Sequence, residues 1–217
     1  MSKHWAKEQL HHDGLASGVD KTVSWVRRHR DFMGGAAITI AVLGLLTMYF
    51  LSRREKMREE AWDKYFQAQQ LAYESKTDES FKLLDTLQKN FSRSEAAGYA
   101  ALFKGDLLFE LKKYPEAAQA YAALPQDPRL APFAELGILQ SKSAGGDTAG
   151  AVAAAQAFTA KYPDNPLTPQ AYLTLARAYQ AQGNTAASQE TYKTLSSLFP
   201  ESVWAGIAKT RILTGKK

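Results

Sequence analysis

Apolar and polar residues are distributed unevenly along this 217-residue chain. From Phe32 to Leu51, twenty consecutive residues carry no charge, and Ile, Leu, Val, Ala and Phe predominate. A helix rising 1.5 Å per residue reaches roughly 30 Å over such a stretch, the thickness of a bilayer's hydrocarbon core. Arg27, Arg28, Arg30 and Asp31 precede it, and Arg53, Arg54, Glu55, Lys56 and Arg58 follow it. From Trp62 onward the pattern changes. Small and apolar residues recur at helical spacing, and Gly or Pro breaks the pattern about every dozen residues. Little of this region reads as strand. The pattern predicts an all-α chain in three parts: a tail over 1–31, a transmembrane helix over 32–51 and a helical domain over 52–217.

The span reads as a permanent anchor rather than a cleaved signal. Its 31-residue leader is long for the start of a signal peptide. The apolar run exceeds the usual 7–15 or so residues, and no small-residue cleavage site follows, because Ser52-Arg53-Arg54-Glu55-Lys56 comes next. Trp25, Phe32, Tyr49 and Phe50 suit the two membrane interfaces. Orientation stays open. Lys21, Arg27, Arg28 and Arg30 on one side balance Arg53, Arg54, Lys56, Arg58 and Lys64 on the other, so the positive-inside rule has no bias to act on. Met57, Ala61, Tyr65, Ala68 and Ala72 recur every three or four residues after the span, without Gly or Pro. One long helix is therefore expected to run from the span into the first helix of the domain.

The clearest unit of that domain is Thr168 to Pro200. Thr168 is placed to cap a helix, with Pro169 in its first turn, where a missing N–H is harmless. Tyr172, Leu175, Ala176 and Tyr179 form one apolar face. Gly183 suits a left-handed turn, and a second helix carries Ala187, Tyr192 and Leu195 before Pro200. These positions match the tetratricopeptide repeat, with Ser188 in place of its usual Ala. Within 131–163, Phe133, Leu136, Gly137, Gly146, Ala151 and Pro163 match. Within 98–130, Gly105, Tyr114, Ala117 and Tyr121 match, but Ala101 and Lys104 replace the first-helix Trp and Leu. The stretch 61–94 keeps only Ala68, Leu71, Leu84 and Leu87 in register and reads as a degenerate terminal unit. Residues 202–213, with Trp204, Ile207, Ala208 and Ile212, read as a capping helix. The expected fold is a tetratricopeptide-like solenoid of helical hairpins. Its aromatics are core packed against Ala and Gly.

Charge and chemistry narrow the function. Of 27 Lys/Arg and 22 Asp/Glu, residues 59–215 hold 15 basic and 17 acidic, so the basic excess sits at the membrane flanks and the C-terminus. A nucleic-acid partner is not expected. The flanks suit anionic headgroups or a simple snorkelling anchor. The absence of cysteine excludes disulfides and thiolate chemistry. All four histidines precede the span, so the helical domain lacks the commonest general base. His4, His11 and His12 read as solvated tail residues rather than metal ligands. With no phosphate loop, paired carboxylates or nucleophile–base set, no catalytic, cofactor or metal residues are assigned, and neither enzyme activity nor a small-molecule substrate is expected.

The order of tail, single span, continuous helix and about four repeats is similar to the YfgM family. The similarity covers about 19–213 and includes Val23, Trp25 and Val26 before the span. Gly34-Gly35, Arg53, Ala61, Tyr65 and Ala68 continue it. Those are bacterial inner-membrane proteins described as ancillary subunits of the Sec translocon. The resemblance implies a cytoplasmic tail, a periplasmic repeat domain, and a role near the translocon handing exported polypeptides toward chaperones. The His-rich start, Met1 to Asp13, departs from the pattern. A binding role also follows from the solenoid itself, whose first helices line a concave surface. In the repeat's frame that surface comprises Tyr99, Leu102, Asp106 and Phe109, then Ile138, then Leu173, Arg177 and Gln180. Leu102, Asp106, Ala134, Ile138, Leu173 and Arg177 do not form the Lys/Asn/Arg clamp of tail-carboxylate binders. The expectation is a membrane-anchored polypeptide-binding adaptor. The tied flanks leave open a cytoplasm-facing scaffold of a secretion or envelope machine, and a periplasmic coordinator of division or envelope integrity is the other alternative.

Overall fold

The computed structural model describes residues 22–124 and 127–214. The tail histidines His4, His11 and His12 lie outside the described residues, as do the last two lysines. The chain divides into two compact units, Met1–Lys56 and Met57–Lys217.

In the first unit, residues 22–28 are helical (α1), and α2 (Arg30–Tyr73) begins after His29. α2 is 44 residues long, and no part of its most apolar window is buried. By length and composition it is the one helix among the described residues able to cross a membrane. Ile38, Leu45 and Met48 all stand out from its surface. The two threonines of this stretch are satisfied within the helix: Thr39 donates to the Gly35 carbonyl at 2.9 Å and Thr47 to that of Leu43 at 2.7 Å. Hydrocarbon offers no other acceptor, so such self-satisfaction suits a lipid-facing helix. Arg53 reaches back to donate to the Tyr49 hydroxyl at 3.0 Å. α2 shows no interruption between the apolar stretch and Tyr73, as the unbroken spacing predicts.

The second unit stacks hairpins. The last turns of α2 pair with α3 (Thr77–Asn90), α4 (Glu95–Glu110) with α5 (Tyr114–Ala122), α6 (Ala131–Ala144) with α7 (Thr148–Lys161), and α8 (Thr168–Ala181) with α9 (Thr185–Leu198). α10 (Val203–Thr214) packs on α8 and α9, in the place of a further first helix. Four apolar clusters follow one another along the stack, each built from consecutive helices. Small residues bring the backbones close: Ala61, Ala68, Ala96 and Ala100 are fully buried around Leu84 and Leu87. The buried Ser80 hydroxyl donates to the Ala68 carbonyl at 2.8 Å and ties α3 to α2.

All four hairpin turns use one left-handed residue. Gly183 has φ 76° and Gly146 has φ 85°, which glycine adopts without penalty. The same step in the first two hairpins falls on Ser75 (φ 62°) and Lys112 (φ 60°), so these turns form without the residue best suited to them. Ser94, Asp147 and Asn184 cap α4, α7 and α9 by accepting from the N–H three residues on. Thr168 does not act as the cap expected of it. Leu167 occupies that position, and the buried Thr168 hydroxyl instead donates to the Tyr162 carbonyl, joining the end of α7 to the start of α8.

Candidate functional site

Successive first helices touch one another: α4 meets α6, α6 meets α8 and α8 meets α10. Among the described residues the second helices α5, α7 and α9 have no such contacts with one another. First helices therefore lie closer together than second helices, and the stack bends around them. The inner face of the bend belongs to α4, α6 and α8, together with the last turns of α2.

One side chain does much to set this geometry. Tyr121 of α5 lies between Gly105 of α4 and Gly137 of α6, and a Cβ on either glycine would overlap its ring. The Tyr121 hydroxyl donates to Asp106 Oδ1 at 2.5 Å. Desolvation, followed by this hydrogen bond and the Asp106 charge, pushes the phenol's pKa well up. Asp106 is itself raised, by desolvation first; the hydrogen bond from Tyr121 opposes the shift and Glu110 adds to it. Gln69, Asp106, Ile138 and Arg177 directly follow the buried small residues Ala68, Gly105, Gly137 and Ala176, so they occupy one repeated position on successive first helices. None of the four is buried.

The eight residues assigned to the concave surface separate into three groups. Asp106, Arg177 and Gln180 are exposed, and Gln180 opens on a small polar cleft with Gln189, Arg211 and Thr214. Tyr99, Leu102, Phe109 and Ile138 are half-buried. Leu102, Phe109 and Ile138 meet in the cluster around Leu108, Tyr121 and Ala134, and the Phe109 ring sits edge-on to Tyr114 at 5.2 Å. Leu173 is a correction. It is 2% exposed and packs with Ala176, Tyr192, Leu195 and Ala208, because α10 closes over it. Its place in the repeat would face a partner only if nothing followed α9.

The residues missed by sequence reasoning lie on α2. Trp62 and Tyr65 meet edge-on at 5.6 Å, Trp62 stacks on Phe66 at 5.8 Å, and Trp62 approaches Tyr99 at 5.4 Å. Tyr65 extends the group to Tyr99 and Phe103, each at 6.2 Å. The Tyr65 hydroxyl accepts from Gln69 Nε2 at 3.0 Å. Its pKa is raised by burial first, then by the Asp106 charge and by Tyr99. Phe66 remains 58% exposed. The signal was present as aromatics at i, i+3 and i+4. It was masked because 61–94 matches the repeat only at its small and aliphatic positions.

No group of three His, Cys, Asp or Glu able to hold a metal exists among the described residues. The surface instead offers half-buried rings, aliphatic side chains and scattered charges. Residues 67–134 match one tetratricopeptide-repeat family model, and residues 136–165 and 170–202 match another. The first match takes in 67–94 of the 61–94 unit and all of 98–130, where individual motif positions depart most. No curated protein matches the chain.

Proposed function

We propose that this tetratricopeptide-repeat protein, its repeats spanning 67–202, is a membrane-anchored adaptor that binds polypeptides on the inner face of its first helices. The observation carrying this reading is the accessible row Gln69, Asp106, Ile138 and Arg177 beside the half-buried rings of α2 and α4, on the side where first helices converge. Flexible side chains and exposed apolar edges suit extended polypeptide better than a small molecule, since the face is open rather than a deep concavity. No catalytic role forms part of the proposal.

The exposed apolar stretch of α2 supplies the anchor in this reading. The similarity of the whole arrangement to the YfgM family favours a cytoplasmic tail and a periplasmic repeat domain. It also favours a position near the Sec translocon, where the protein would pass exported chains to chaperones. A photocrosslinking residue at Asp106, Ile138 or Arg177 should capture translocating polypeptides in cells, while the same residue at the outward Lys193 should not. Equal capture from all four positions would remove the inner face from the proposal. A reporter active only outside the cytoplasm, fused after Lys217, should be active; its silence would favour a cytoplasm-facing scaffold.

A further inference from the structure

We infer that the inner face where α2 meets α4 selects a cationic side chain, Arg or Lys, on the bound polypeptide; this rests on the polypeptide-binding reading and names what that surface prefers. Two sets of groups meet there. The first is the aromatic group Trp62, Tyr65, Phe66, Tyr99 and Phe103, with ring centroids 5.4 to 6.2 Å apart. The second is a pair of carboxylates one turn apart on α4, Asp106 and Glu110. Both are exposed and, among the described residues, neither is in an ion pair, although Asp106 accepts from the Tyr121 hydroxyl. Tyr99, Phe103, Asp106 and Glu110 recur every three or four residues along α4 and so share one face of that helix.

The nearest cation on the same helix is already paired. Lys104, also on α4, pairs with Asp85 at 2.5 Å. The cations lying over rings among the described residues are Lys64 at Phe91 and Lys161 at Tyr162, neither of them in this group. The face therefore presents π surfaces beside two carboxylates that no Lys or Arg among the described residues pairs with. A guanidinium suits both, since its plane stacks on aromatic rings and its fork meets a carboxylate. An aliphatic side chain would cover the rings but leave the two negative charges without a cation, and an acidic one would be repelled. Arg should therefore be preferred over Lys, Lys over Gln, and Gln over Glu.

The test uses the full chain in detergent or nanodiscs. Its ligands are fluorescent peptides of about ten residues that differ only in a central Arg, Lys, Gln or Glu. The Arg peptide should bind about fivefold more tightly than the Gln peptide, with the margin shrinking as salt rises. In the Asp106→Asn/Glu110→Gln double variant the Arg-to-Gln ratio should fall close to one. Trp62→Leu should weaken every peptide. Should the double variant misfold, Glu110→Gln alone, at an exposed position, must lower the ratio at least about twofold. Equal affinity for Arg and Gln peptides, with Trp62→Leu still weakening both, overturns the cation preference and leaves the inner-face reading standing. A ratio unmoved by the carboxylate variants overturns the assignment of these residues. Failure of every peptide to bind overturns both readings together.

Discussion

Leu173 and Tyr192 meet in the interior between α8, α9 and α10, and neither can be shortened without leaving a void. Leu173→Ala should lower the unfolding free energy by about 2–5 kcal/mol and Tyr192→Ala by about 3–5 kcal/mol, read by urea titration. Phe109 is only half-buried, so Phe109→Ala should lose about 1–2 kcal/mol, including its edge contact with Tyr114. A loss as large as that of Tyr192 would place Phe109 in the core. The left-handed turn residues point the other way. Lys112→Gly and Ser75→Gly should each raise stability by about 0.5–1 kcal/mol, because a β-carbon is disfavoured at their φ of 60° and 62°. Asp106 gives a pH signature. Its raised pKa means the folded state holds the proton more firmly than the unfolded chain does. This group's contribution is most favourable below its ordinary pKa and is lost as pH rises through the folded value. Asp106→Asn, which can still accept from Tyr121, should therefore gain on the parent as pH climbs from acid toward neutral. A difference independent of pH would mean that Asp106 titrates normally.

At the scale of helices, α10 acts as the lid of the last hairpin. Removing residues from Val203 onward should expose Leu173, Ala176 and Leu195. Amide exchange should then accelerate in α8 and α9 first, because each hairpin depends mainly on its neighbours. Uniform acceleration through α3 and α4 would show a more cooperative stack. α10 was legible in Trp204, Ile207, Ala208 and Ile212, whose spacing marks one apolar stripe. Its effect on Leu173 was not, because a repeat frame places residues within a unit and says nothing of what the next element covers. Helix existence was likewise legible from spacing, and Gly183 from its own chemistry. The turns at Ser75 and Lys112 were hidden because neither residue advertises a positive φ. Tyr121 matched its aromatic position, while Gly105 and Gly137 matched theirs. That one ring serves both glycines is a fact of the stack and of no single unit. The α2 aromatics were readable only as residues of a long helix until α4 brought Tyr99 and Phe103 against them.

For the whole molecule, the proposed anchoring by the exposed apolar stretch of α2 predicts retention in the membrane after carbonate washing, with the chain intact ahead of residue 52. A mature product starting near that residue would show instead that the apolar stretch is a cleaved signal. The wedge formed by Tyr121 carries a consequence for the inner face. An aromatic ring is stiff, with only two rotatable bonds, and this one fills the gap left by two missing β-carbons. It therefore behaves as a spacer of fixed thickness between the two middle hairpins. The interval between neighbouring first helices on the inner face follows that thickness, so a polypeptide bound there as proposed would be measured along its length as well as by its side chains. Tyr121→Phe should preserve the interval and merely release Asp106. Tyr121→Leu should change the pitch of the array, and with it the distance between anchor residues that a bound polypeptide must match.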